Sequence, residues 1–176
     1  MDYTEVLTIW EPIFKKMGYR ETAFNNWVSA TEELVIVLCL RVDDKAKVFF
    51  LEIGILFKKW HSYELWEAPA FDDYDVGQGL YLLLKKSGEW EYYLNNLFSY
   101  DSDINTYAEV TNNSKELARL FLTKVMPLID QLNDYASQAE DFDNETTWKP
   151  LVQHFYPSYQ VDKHFLGALV KYYRKW

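Results

Sequence analysis

The chain has a single cysteine, Cys39, so no internal disulfide can form. Set in an apolar run, that thiol reads as a small buried hydrophobe. Basic charge is also scarce: 18 Lys and Arg stand against 27 Asp and Glu, a net charge of −9. Nucleic acid and anionic membrane both require a positive field, so neither is an expected partner. The first ten residues, MDYTEVLTIW, have no basic n-region and no long apolar run. They are not read as a signal peptide. No run approaches the roughly 18 apolar residues of a membrane span, and the expected compartment is the cytoplasm.

Motifs of known chemistry are missing too. His61, His154 and His164 show no metal-ligand spacing, and no GxGxxG, P-loop, GxSxG or CxxC occurs. Two runs imitate the start of a calcium loop, at residues 101–105 and 141–145. Their sixth positions are Thr106 and Thr146 rather than glycine. Their twelfth are Asn112 and Val152 rather than glutamate. No metal, no cofactor and no catalytic residue is therefore expected.

What the chain does have is apolar pattern and aromatic mass. Residues 48–57, VFFLEIGILF, read as the central strand. Phe49, Leu51, Ile53, Ile55 and Phe57 share one apolar face; Phe50, Glu52, Gly54 and Leu56 share the other. Gly54 predicts a bulge or a close backbone approach. Residues 34–42, LVIVLCLRV, are apolar on both faces. They should pair antiparallel with the central strand across a short turn at residues 43–45. Two shorter extended pieces precede them, at residues 19–20 and 24–29.

Helical spacing marks residues 3–17, with Lys15 and Lys16 in the last turn and Gly18 beyond it. Residues 79–84 and 89–94 read as a strand pair, with a short helix as the other option for 78–85. Asn113 and Glu116 have capping-box spacing and predict a helix start. Pro127 should kink or interrupt that helix, which then resumes and ends near residue 135 or 139. Two further helices are expected at residues 148–155 and 163–174. The sum is an α+β fold, one domain over residues 1–176. An antiparallel β-meander of about four to six strands packs against an N-terminal helix and a C-terminal set of helices.

Residues 58–76 form the least regular stretch. Trp60, Tyr63 and Trp66 lie there among acids, including Asp72, Asp73 and Asp75. Aromatic anchors with a charged rim are the composition of a binding surface. These six residues are the candidate partner-binding set. The competing reading is that the aromatics tuck back and close one end of the core.

The order of parts is similar to a known family. "KKMGY" at residues 15–19 is followed by the pair Phe24 and Trp27. "FLEIGILFKK" at 50–59, "SGEWEYY" at 87–93 and "VMPLIDQL" at 125–132 come next. The chain resembles the bacterial domain-of-unknown-function 4304 family over residues 3–137, leaving 138–176 as a C-terminal helical extension. The resemblance implies a small bacterial protein of toxin–immunity neighbourhoods and carries over no catalytic residue. The function expected is a non-catalytic immunity-type inhibitor. Its acidic, aromatic surface would occlude a basic toxin. The alternatives are a small-molecule-binding domain or unrecognised enzyme, with His61 and Glu52 as polar groups of an aromatic-lined pocket, and a structural homodimer subunit.

Overall fold

The computed structural model describes residues 1–22, 26–61, 63, 67, 69 and 75–138, and of Trp60, Val76 and Lys86 the backbone only. Helix α1 spans Tyr3–Lys16. Asp2 and Glu5 close its start as a capping box: each backbone N–H donates to the other's carboxylate. Gly18 ends it at φ +86°. There the Tyr19 N–H returns to the Phe14 carbonyl at 3.0 Å and the Gly18 N–H to that of Lys15 at 3.1 Å. This is the glycine-terminated cap that the sequence predicts.

Five antiparallel strands follow in simple meander order. They are β1 (Arg20–Glu21), β2 (Trp27–Ala30), β3 (Leu34–Asp43), β4 (Val48–Phe57) and β5 (Val76–Gly79). The β3–β4 pairing runs unbroken from Leu34↔Phe57 to Asp43↔Val48. Gly54 therefore makes no bulge. It pairs with Val37 on one side and Gly77 on the other, the close-approach option.

The predicted inward face of β4 is buried at every position, and it carries the main core. Trp10 of α1 meets Phe49 edge-on at 5.8 Å, and Phe98 meets Phe49 at 5.6 Å. Val28, Val35, Val37 and Leu56 form a second buried cluster on the opposite face. Both faces of β3 are thus covered, as its unbroken apolar run requires.

The strand pair expected after β5 is two helices instead. These are α2 (Leu80–Lys86) and α3 (Glu91–Leu97). Leu80, Leu83 and Leu84 are all buried, at spacing that only a helix brings to one face. Helix α4 covers Tyr107–Leu120. It starts six residues before the expected Asn113, because Thr106 and Glu109 form their own capping box. The acidic run at 101–105 leads into that cap. Asp101 accepts from Asp103, and buried Asn105 donates to the Ser99 carbonyl at 3.2 Å.

Pro127 does not break the helix. A π-helical turn, Phe121–Val125, precedes it, and α5 (Met126–Gln138) continues beyond. Regular α-helical bonding is thus interrupted beside the proline and resumes beyond it, as the sequence predicts. Asn133 Oδ1 ties α5 to the β2–β3 turn, accepting from Thr31 Oγ1 at 2.6 Å and from Glu33 N at 3.1 Å. The helices predicted at 148–155 and 163–174, and with them the C-terminal extension, lie outside the described residues. Among the described residues no helix is long and apolar enough to cross a membrane.

Candidate functional site

The stretch after β4 begins with a single 3-10 turn, Lys58–Trp60. Trp60 lies in it by backbone; its side chain is not described. Trp66, Asp72 and Asp73 lie outside the described residues. Tyr63 is 63% exposed. A hydrogen bond to Glu67, then the charge of that carboxylate, raises the Tyr63 pKa. Glu67 in turn receives Arg20, whose Nη2 donates to its carbonyl at 2.7 Å and its carboxylate at 3.2 Å. Asn26 donates to the Pro69 carbonyl at 3.1 Å. Arg20 is in β1, and Asn26 immediately precedes β2. The described loop residues are therefore fastened to the first two strands.

Asp75 is not a surface carboxylate. Its side chain is fully buried, and its Oδ2 accepts the Phe57 N–H at 2.8 Å. His61 Nε2 lies 2.8 and 2.9 Å from the two carboxylate oxygens. The Asp75 N–H donates to the Ile55 carbonyl at 2.9 Å. The one carboxylate thus joins the end of β4, the turn after it and the entry to β5. It closes the loop and leaves the acidic rim expected of it. A His–Asp pair orients an imidazole, but acyl transfer also needs a nucleophile and oxyanion donors. Glu52 stands on the outward face of β4 and pairs with Arg41 at 3.4 Å. Among the described residues no three His, Cys, Asp or Glu side chains gather as a metal site would require.

Among the described residues the most exposed aromatics lie elsewhere, in the GEWEYY stretch read as strand. Trp90 is 81% exposed and Tyr92 is 88% exposed. Trp90 is the residue before α3, and Tyr92 lies opposite the buried Leu94 and Leu97 on that helix. The acids beside them are fixed. Glu91 accepts from Lys85 at 2.9 Å, and Glu89 faces Lys124 at 3.8 Å. The hydrogen bond from Lys85 holds the Glu91 carboxyl below the usual carboxylate range.

Tyr93 turns back onto α4 and donates to Glu116 at 2.8 Å. Arg119 grips the same carboxylate through Nε at 2.7 Å and Nη2 at 2.6 Å. Lost hydration first, then the bond to Glu116, pushes the Tyr93 pKa up to about 12. The platform under Trp90 and Tyr92 is therefore braced, while both rings face solvent. Sequence reasoning missed this patch because a strand reading puts Trp90, Tyr92 and Leu94 on one face. The helical spacing of Leu94 and Leu97 was the available signal.

Comparison with family models, with curated proteins and with solved structures found no match.

Proposed function

We propose that this protein is a non-catalytic protein-binding module, an immunity-type inhibitor that neutralises a bacterial toxin by occluding a basic surface or active site. One observation carries the reading: Trp90 and Tyr92 stand almost wholly in solvent on a braced helix, interleaved with Glu89 and Glu91. Rigid aromatics are the side chains that most often anchor a protein interface. Burying both would remove about 300–500 Å² from water, worth roughly 7–12 kcal/mol before the costs of association. The acids, and the net charge of −9, suit a basic partner and would speed its encounter. The toxin as target follows from the family resemblance. Tyr63 beside Glu67 offers a second aromatic–acid pair, and buried Asp75 has no part in the contact.

The test is a pull-down from bacterial lysate at low and high salt, with wild-type chain and the Trp90→Ala/Tyr92→Ala variant. The expected result is one basic protein, weakened by salt, whose affinity for the variant falls at least about 30-fold. Identical recovery by both baits would sink the proposal. Concentration-dependent light scattering abolished by the same variant would assign the two rings to a homodimer instead.

A further inference from the structure

A second surface, in the groove between α1 and α4, has different chemistry. Helices α1 and α4 pack together. Tyr19, just beyond the end of α1, meets Phe121, just beyond the end of α4, with ring centroids 6.4 Å apart. The two helices therefore run parallel, and a groove of 630 Å³ lies between them. Its α1 wall is Thr8, Ile9, Pro12, Ile13, Lys16 and Met17. Its other wall is Tyr107, Thr111, Lys115, Ala118 and Arg119 of α4, with Leu122 of the π-helical turn that follows. Each set is one helical stripe, so the groove follows the helix axes.

We propose that this groove binds a free single-chain amphiphile with an anionic head, of the alkyl carboxylate class. From Tyr107 to Leu122 the stripe runs about 22 Å. A groove of 630 Å³ drawn out over that length is long and narrow. A single hydrocarbon chain is slender enough. Its volume is within the usual range for small-ligand sites.

Charge sets the sign and the direction. The floor is apolar, with Ile9, Ile13, Ala118 and Leu122. On this acidic protein, the charged side chains of the groove are nonetheless all cationic: Lys16, Lys115 and Arg119. Because the helices are parallel, Lys16 and Arg119 fall at the same end, beside Leu122. Arg119 already serves Glu116. Lys16 and Lys115 have no ion-pair partner among the described residues. The opposite end is polar but uncharged, with Tyr107, Thr8 and Thr111. Pro12 has no N–H to give the Thr8 carbonyl, so that acceptor lacks its helical donor. The head group thus belongs beside Lys16 and Arg119, within reach of Lys115 midway along the stripe, and the chain runs toward Tyr107.

Calorimetric titration of the full chain with dodecanoate, below its micelle concentration, tests this. Saturable one-to-one binding is expected. Dodecyltrimethylammonium should bind at least tenfold more weakly. Lys16→Gln/Lys115→Gln should lower dodecanoate affinity at least tenfold with the thermal midpoint kept. Leu122→Glu, at a position 47% exposed and so tolerant of change, should do the same by placing a carboxylate where the head sits. Equal binding of the two amphiphiles, no saturable heat, or variants that bind dodecanoate as the wild type does would each overturn the proposal. So would co-sedimentation with phosphatidylglycerol vesicles in place of monomer binding.

Discussion

Both carboxylate oxygens of Asp75 lie within 2.9 Å of His61 Nε2, and one of them also accepts the Phe57 N–H. Three segments depend on this carboxylate, and water does not reach it. Asp75→Ala leaves a backbone donor and an imidazole without that acceptor in a buried place. Each such group costs about 1–3 kcal/mol, so a loss of about 2–6 kcal/mol is expected. Asp75→Asn keeps one acceptor oxygen and should lose roughly half as much. Urea unfolding midpoints, at unchanged slope, measure both. If the alanine variant stays within about 0.5 kcal/mol of wild type, the pair is not structural, and a functional role for His61 becomes the better account.

Glu116 gives a prediction with pH. The hydrogen bond from Arg119, opposed by lost hydration and helped by Tyr93, holds its carboxyl below the usual range. A depressed folded pKa stabilises above the unfolded value of about 4.3. That stabilisation is lost as pH falls through the lower folded value. Glu91 and Glu109 are depressed as well, by Lys85 and by the Thr106 cap respectively, so the acid limb is shared. Glu116→Gln should therefore cost up to about 1 kcal/mol at neutral pH, as for a partly exposed ion pair. Its stability should then fall less steeply than wild type below about pH 4.5. Parallel curves from pH 7 to 3 would remove Glu116 from the account.

The sheet was readable because its signal is simple. Alternation in β4 and unbroken hydrophobicity in β3 state which faces are covered, and the short turn between them leaves antiparallel pairing as the direct solution. Residues 79–94 were harder. A short apolar run fits a strand or a helix equally, and the choice is made by Leu80, Leu83, Leu84, Leu94 and Leu97 all finding the same core. That is a tertiary fact. The early start of α4 was written in the Thr106–Glu109 spacing, but Asn113 and Glu116 have it too, and local sequence does not rank two successive boxes. Aromatic–acid interleaving occurs at both 60–75 and 89–93 and marks both as surface candidates. Which acid is buried and which ring is bare depends on helix phase and loop closure. Composition therefore could not separate Asp75 from Trp90.

Asn133 fixes the far end of α5 to the sheet. It accepts from Thr31 and Glu33, while Lys59 donates to the Ala136 carbonyl at 2.9 Å one turn later. Asn133→Ala removes the shared acceptor and should cost about 1–2 kcal/mol. The effect should be local. In hydrogen exchange, amides of residues 133–138 should open faster while those of α4 keep their protection. Uniform acceleration across both helices would mean that α5 does not open as a separate unit.

Tyr19 carries the opposite kind of defect. Its ring packs edge-on against Phe121, yet its buried hydroxyl has no hydrogen-bond partner among the described residues. Burial pushes its pKa above the ordinary tyrosine value. Tyr19→Phe keeps the ring contact and removes the unpaired hydroxyl, so stability should rise, by up to about 1–2 kcal/mol. The sign with pH follows from the raised pKa. Wild type keeps the full contribution of this group below the unfolded value of about 10 and loses it as pH climbs toward the folded value. Phenylalanine has nothing to ionise. The advantage of the variant should therefore widen above about pH 10, while Tyr93 and Tyr100, also raised, keep an alkaline loss in both proteins. Thermal melts at neutral pH and at pH values bracketing that point measure the two effects. A variant that melts below wild type would show that the hydroxyl holds a hydrogen bond the fold depends on.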